Sequence, residues 1–237
     1  MTGGTARLMA IVPAHDEAPR IGPVVAGAAR YLPVLVVDDG STDATPEVAA
    51  ASGARVLEQR PNRGKGAALR AGFSEALRSG AEAVVTLDGD GQHDPAEIPA
   101  FLAAHADRTA AGLPSALIIG RRDFARMPIA RRIANTLGTI VLSLALGRHI
   151  PDNQSGYRLV GRKLMAATLD SAEAGFAFEV EMIAICLRER WPIAWVPIRT
   201  IYADERSHMR PFAHLREFLA IARRARRIAR SPRTESR

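Results

Sequence analysis

Three features of the 237-residue chain predict an α/β fold with a mostly parallel sheet flanked by helices. Short apolar runs alternate with longer segments of helical periodicity. The runs are continuous rather than alternating, the pattern of strands buried on both faces. Three of them end in acidic clusters, at the strand ends where open α/β sheets bind ligands.

The elements follow in order. Strands are expected at 8–12 ("LMAIV"), 34–37 ("VLVV"), 54–57 ("ARVL"), 83–87 ("AVVTL") and 116–119 ("ALII"). Helices are expected near 20–31, 44–52, 66–79 and 95–106, with Pro46 and Pro95 in first turns and Thr45 and Asp94 as N-caps. Beyond residue 120 the pattern predicts a helix near 128–147, a loop "GRHIPDNQSGY" with short elements after it, and a helix near 178–190. A strand in "IAWVPIRTIY" and a last helix near 212–229 complete the chain.

Apolar residues make up 47% and charged residues 24%, ordinary for a globular protein with room for one full core. With one cysteine, Cys186 in an apolar context, no internal disulfide is possible, and a reducing cytosol fits. The N-terminus lacks a signal-peptide core. The greasiest segment, residues 133–147, is shorter than the roughly 20 residues that span a bilayer. Net charge is +7, yet residues 206–237 hold ten arginines against Glu217 and Glu235, so the rest is near neutral. The chain divides into a domain over 1–205 and a basic helix and tail over 206–237. Such a tail suits phosphates. It carries no interleaved aromatics, so nucleic acid is the lesser reading and no nucleic-acid partner is expected.

The acidic clusters are His15, Asp16 and Glu17 after the first strand, Asp38, Asp39 and Asp43 after the second, and "DGDGQHD" after the fourth. Capping accounts for one carboxylate per helix, not for pairs such as Asp88 and Asp90. Several templates fail. The "DGDGQHDPAEIP" stretch lacks the sixth-position Gly and twelfth-position Glu of a calcium loop. "NRGKGAAL" is not a phosphate-binding P-loop, and no Cys/His set suits zinc. Asp88, Asp90 and the Gln92 carbonyl remain as a hard-cation site suited to Mg²⁺ or Mn²⁺, with positions left for a diphosphate. Gly89 and Gly91 let the backbone turn tightly there.

The segments "IVPAHDE", "VVDDGSTD", "NRGKGAAL", "TLDGDGQHDP", "IIGRR" and "DNQSGYRL", in this order, resemble the inverting family 2 glycosyltransferases of GT-A fold. The nearest subgroup is the dolichyl-phosphate mannose synthase and polyprenyl-phosphate glycosyltransferase type, and the resemblance spans residues 8–202. It implies a nucleotide-sugar donor, GDP-mannose or UDP-glucose, bound by Pro13, His15, Glu17, Asp39, Lys65, Asp88, Gly89 and Asp90. It implies a metal held by Asp88, Asp90 and Gln92, and catalytic roles for Asp90, Arg122 and Arg131. A polyprenyl-phosphate acceptor would meet Arg122, Arg131, Arg132, Ser155 and Arg206, beside Asp152 and Gly156. In place of the usual Gly-x-Ser-Lys end, the sequence reads "YADERSHMRP", where Arg206, Ser207, His208 and Arg210 could supply equivalents.

A phosphate acceptor is already largely ionised near neutrality and needs no strong base. A hydroxyl acceptor needs one, and Asp152, Glu179 or Glu181 are the candidates. A lipid acceptor implies peripheral contact at the inner face of the membrane. Residues 133–147 form either an interfacial segment or a core helix. The last helix gathers Leu215, Phe218, Ile221, Ala225 and Ile228 on one face, flanked by arginines, and either lies on a membrane or packs on the domain.

Overall fold

The computed structural model describes residues 7–199, 201 and 211–233. Its order is β1 (Leu8–Ala14), α1 (Ala18–Ala28), β2 (Val34–Asp38), α2 (Thr45–Ala51), β3 (Arg55–Glu58), α3 (Lys65–Arg78) and β4 (Ala83–Thr86). A 3₁₀ turn (Pro95–Glu97) leads into α4 (Ile98–Ala110). Then come β5 (Leu117–Arg122), a second 3₁₀ turn (Phe124–Arg126), α5 (Ile129–Leu146), β6 (Arg158–Gly161), α6 (Arg162–Thr168), α7 (Ala177–Glu189), β7 (Ile193–Ile198) and α8 (Pro211–Arg230). Each expected element forms. The two that no sequence span had named, β6 and α6, are 4 and 7 residues long, too short for a periodic signal.

The seven strands lie in the order β3-β2-β1-β4-β6-β5-β7. All neighbours are parallel except β6, which runs antiparallel to both β4 and β5. Side chains alternate across the sheet and feed two separate cores. Ile11, Leu35, Val37, Val84, Ile119 and Val160 face one core with Leu69, Phe73, Phe178 and Met182 from the helices on that side. Ala10, Val12, Val36, Val85, Ile118 and Leu159 face the other with Ile21, Val25, Ile98 and Phe101. Two-sided burial explains the continuous apolar runs. β3 departs from that expectation: it is the sheet edge, and none of its four residues is buried.

Two local expectations need adjustment. Asp94 is an N-cap and accepts the Ala96 N–H at 2.9 Å. Thr45 is instead the first helical residue of α2, and the Asp43 carboxylate caps it by accepting the Thr45 N–H at 2.9 Å. The Thr45 hydroxyl meanwhile accepts the Glu17 N–H at 2.7 Å, tying the loop after β1 to the loop after β2.

The last helix packs on the domain. Ala222 and Ala225 are buried and Ile221 and Ile228 join the core, with α8 lying against α5 and α7. Arg216, Arg223, Arg226, Arg227 and Arg230 stay exposed. The central helix α5 divides its faces. Leu142 is buried, while Ile129, Ile133, Leu137, Ile140 and Leu144 form an exposed stripe, with Ile129 77% and Leu144 76% accessible. No described helix is long and apolar enough to cross a membrane.

Candidate active site

The carboxyl ends of β1, β2 and β4 bring their three acidic loops to one edge of the sheet. The antiparallel β6 adds a fourth segment. Arg158, its first residue, pairs with Thr86 of β4 and Ile119 of β5, so the chain entering β6 arrives at the same edge. The loop "DNQSG" therefore meets Asp88. A Cβ added at Gly156 would lie 2.6 and 2.7 Å from the Asp88 carboxylate oxygens and 2.9 Å from Lys65 Nζ. An alanine there would force the Asp88 and Lys65 side chains to shift.

Asp88 is paired with a lysine that comes from the start of α3. Lys65 Nζ sits 2.6 Å from Asp88 Oδ1 and 3.3 Å from Glu179 Oε1. Burial alone would push the ammonium pKa down, but Asp88 and Glu179 outweigh it and hold it above the ordinary lysine value. Burial likewise works against the Asp88 carboxylate, and Lys65 reverses the balance, keeping it below the usual range. His93 accepts the Asp88 backbone N–H at Nδ1, 3.2 Å away. Burial lowers its pKa to about 4, so the ring is neutral. At 3.8 Å from Asp88 Oδ2, the same nitrogen therefore makes no ion pair.

Asp90 has a different environment. Its Oδ1 accepts the Gln92 N–H at 2.9 Å. Burial, reinforced by the negative charge of Asp88 and Glu17, raises its carboxyl above the ordinary value despite that hydrogen bond. A cluster of carboxylates that repel one another in this way fits a divalent cation, which would relieve the repulsion. Among the described residues no group of three His, Cys, Asp or Glu side chains converges as a metal cage. The residues therefore fit a cation held by few protein oxygens. One oxygen of Asp88 is already taken by Lys65, and the Gln92 backbone is tied by its N–H to Asp90 and by its carbonyl to the Ile201 N–H.

The other expected donor residues are spread around this edge. Pro13 lies buried in β1 opposite Val37. His15 is exposed at the end of that strand, and the Glu17 carboxylate pairs with Arg20 at 2.7 Å. Gly89 rests on Ile21 and Ala14. The Asp39 carboxylate accepts the backbone N–H groups of Arg63 (2.8 Å) and Gly64 (2.7 Å), so it shapes the turn that launches α3.

The expected acceptor residues form a second group. Arg122 ends β5 and grips Asp152 with both prongs, Nε to Oδ2 at 2.8 Å and a terminal nitrogen to Oδ1 at 2.9 Å. Asp152 is fully buried and also accepts the Gln154 N–H. A cavity of about 400 Å³ opens beside this pair, lined by Arg121, Arg122, Asp123, Phe124, Pro151, Pro197 and Ile198. Arg131 is half-buried and Arg132 exposed in the first turn of α5. Ser155, expected at the acceptor phosphate, is instead sealed inside, and its Oγ has no hydrogen-bond partner. Arg206, Ser207, His208 and Arg210 lie outside the described residues.

Sequence reasoning missed the residue that joins the two groups. Arg158 is fully buried and donates to the carbonyls of Ser155 (2.8 Å), Glu179 (2.6 Å) and Asn153 (3.1 Å). It staples the "DNQSG" loop to α7. An arginine at the start of a short strand carries no local sign of this role.

A three-layer α/β sheet with acidic loops gathered at its carboxyl edge is an architecture that binds ligands outside the strand ends. The chain belongs to glycosyl transferase family 2, whose family model matches residues 9–168. It is 33% identical to an undecaprenyl-phosphate mannosyltransferase of Micrococcus luteus, over 81% of this chain and 82% of that one. It is 30% identical to the polyprenol monophosphomannose synthase of Mycolicibacterium smegmatis, over 82% and 77%. Among solved structures it resembles a glucosyl-3-phosphoglycerate synthase of Mycobacterium tuberculosis in complex with Mn²⁺, UDP-glucose and phosphoglyceric acid. The TM-score is 0.73 at 21% identity, covering 98% of this chain and 88% of that one. The protein is a glycosyltransferase of GT-A fold.

Proposed function

We propose that the protein moves a sugar from a nucleoside-diphosphate sugar to a polyprenyl phosphate at a membrane surface, with inversion at the anomeric carbon. The observation that carries the phosphate acceptor is the state of the three carboxylates that could act as base for a hydroxyl. Asp152 is held by Arg122, Glu179 by Lys65, and Glu181 lies 3.6 Å from Arg224. A phosphate monoester, with its second pKa about 6, needs none of them.

On this reading Asp90 and Gln92 hold Mg²⁺ or Mn²⁺ with the donor diphosphate. When bound, such a cation offsets the charge that grows on the departing nucleoside diphosphate. Lys65 adds a fixed positive charge beside it. Arg122, Arg131 and Arg132 orient the acceptor phosphate, with the recess beside Arg122 taking its head, because guanidinium forks match phosphate oxygens. The lipid part of the reading rests on the relatives' acceptors and on α5. An exposed apolar stripe beside exposed arginines suits an anionic bilayer surface.

The test is a donor screen over GDP-mannose, UDP-glucose and UDP-N-acetylglucosamine with Mn²⁺, each with polyprenyl phosphate, with 3-phosphoglycerate, or with neither. Transfer to the polyprenyl phosphate alone is the expected outcome. Transfer to phosphoglycerate alone overturns the lipid acceptor, and no turnover of any donor overturns the proposal.

A further inference from the structure

We propose that Glu179 is a positioning residue of the donor site: from α7 it fixes the Lys65 ammonium against Asp88, and so sets where the aspartate loop presents positive charge. The inference rests on the reading above only in placing the donor diphosphate at the Asp88–Asp90 loop.

The ammonium is fixed by the loop after β4 and by the start of α7, while 18% of the side chain stays accessible. Asp88 Oδ1 lies at 2.6 Å and Glu179 Oε1 at 3.3 Å. The Phe176 ring stands at 5.3 Å, within cation–π range, one helical turn before Glu179. Gly156 lies close by, where a Cβ would come within 2.7 Å of both Asp88 carboxylate oxygens and 2.9 Å of Lys65 Nζ. The start of α7, with the Phe176 that caps it, thus offers an aromatic face and a carboxylate to the same nitrogen.

Glu179 is itself held in place. It is 4% exposed, and its carbonyl accepts from the buried Arg158, which also grips the loop carrying Gly156. A buried carboxylate without a partner is costly, so Glu179 requires Lys65 as much as it directs it. The arrangement also argues against Glu179 as a base. Its described carboxylate contact is a cation, and accepting a proton would weaken that pairing. The consequence for the reaction is geometric. A lysine with a single flexible partner could follow the diphosphate, whereas one shared between Asp88 and Glu179 keeps its position when ligand enters.

A double-mutant cycle tests this. Wild type, Glu179→Gln, Lys65→Met and the double variant are compared for donor KM, kcat, and calorimetric binding of GDP and UDP with Mn²⁺. Glu179→Gln is expected to raise donor KM and weaken nucleoside-diphosphate binding about tenfold, the coupling normal for contacting charges, with kcat within about threefold. In the Lys65→Met background the same substitution is expected to change neither. If Glu179→Gln fails to fold, Glu179→Asp, which keeps the charge and withdraws it by one methylene, carries the same expectation. An unchanged KM, an undiminished effect in the Lys65→Met background, or a collapse of kcat with binding intact overturns the proposal. The last of these marks a catalytic base. Nucleotide binding with the expected pattern but no lipid transfer sinks the acceptor reading and leaves this one standing. Failure of the wild type to bind either nucleotide overturns both.

Discussion

Asp88 and Asp90 stand two residues apart and differ in what the fold gives them. Asp88 is neutralised by Lys65, while Asp90 is left among carboxylates with its own carboxyl raised. Asp94 is different again, a helix cap accepting the Ala96 N–H. The separation was legible in the sequence because capping is local: an aspartate before a proline at a helix start needs no distant partner. The Lys65–Glu179 pairing was not, since its members are far apart in the chain and nothing near either one names the other. The division of labour is testable. Asp90→Ala is expected to abolish metal-dependent turnover and to leave the thermal midpoint within a few degrees. Asp94→Ala is expected to cost about 1 kcal/mol of stability and to keep turnover. Measuring both quantities in both variants checks the assignment. Gly156→Ala belongs beside them. Its methyl group would displace Asp88 and Lys65 together, so activity should fall at least about tenfold in a protein that still folds.

At the scale of elements, periodicity located α5 and α8 but could not say which face each would bury. The described part of the α8 face is absorbed by the domain through Ile221, Ala222 and Ala225, with Phe218 reaching to Gly138 of α5, while the Leu215 side chain lies outside the described ones. The α5 stripe is not absorbed. α5 packs inward through Leu142 and Thr139, and the turn-spaced residues Ile129, Ile133, Leu137, Ile140 and Leu144 face outward. Both stripes look alike as sequence, and the neighbours that distinguish them come from the sheet order. Replacing Ile133 and Leu137 together by Asp should therefore spare folding and donor hydrolysis while reducing pelleting with anionic vesicles. About 1.5–3 kcal/mol per apolar side chain buried in lipid predicts a loss of at least tenfold. Equal pelleting of wild type and variant would remove α5 from the membrane face. Changing Arg223, Arg226, Arg227 and Arg230 to Glu should instead remove the salt-sensitive part of binding, roughly 1 kcal/mol per arginine near the surface.

For the molecule as a whole, the antiparallel β6 decides which loops meet at the candidate site. An all-parallel sheet would return the chain to the far edge, away from Asp88. By running backward between β4 and β5, β6 delivers Gly156 and the Arg158 staple to the edge that carries Asp88, and α7 follows to supply Glu179. Site and core are therefore one structure, and the single thiol can report on it. Cys186 lies on α7, fully buried in the core that also holds Phe178 and Met182. Burial pushes its pKa up to about 12 against a weaker downward pull from Arg158. The reactive species is the thiolate. At pH 8 the folded protein should therefore be nearly inert to a thiol reagent, and labelling should require opening of this core. If so, the labelling rate should rise with denaturant along the slope of global unfolding. Nucleotide binding with Mn²⁺ should slow it by the factor 1 + [L]/Kd, because a ligand at the Lys65–Glu179 clamp stabilises the unit that contains Cys186. Fast labelling without denaturant, or labelling indifferent to bound nucleotide, would show that α7 opens independently of the site.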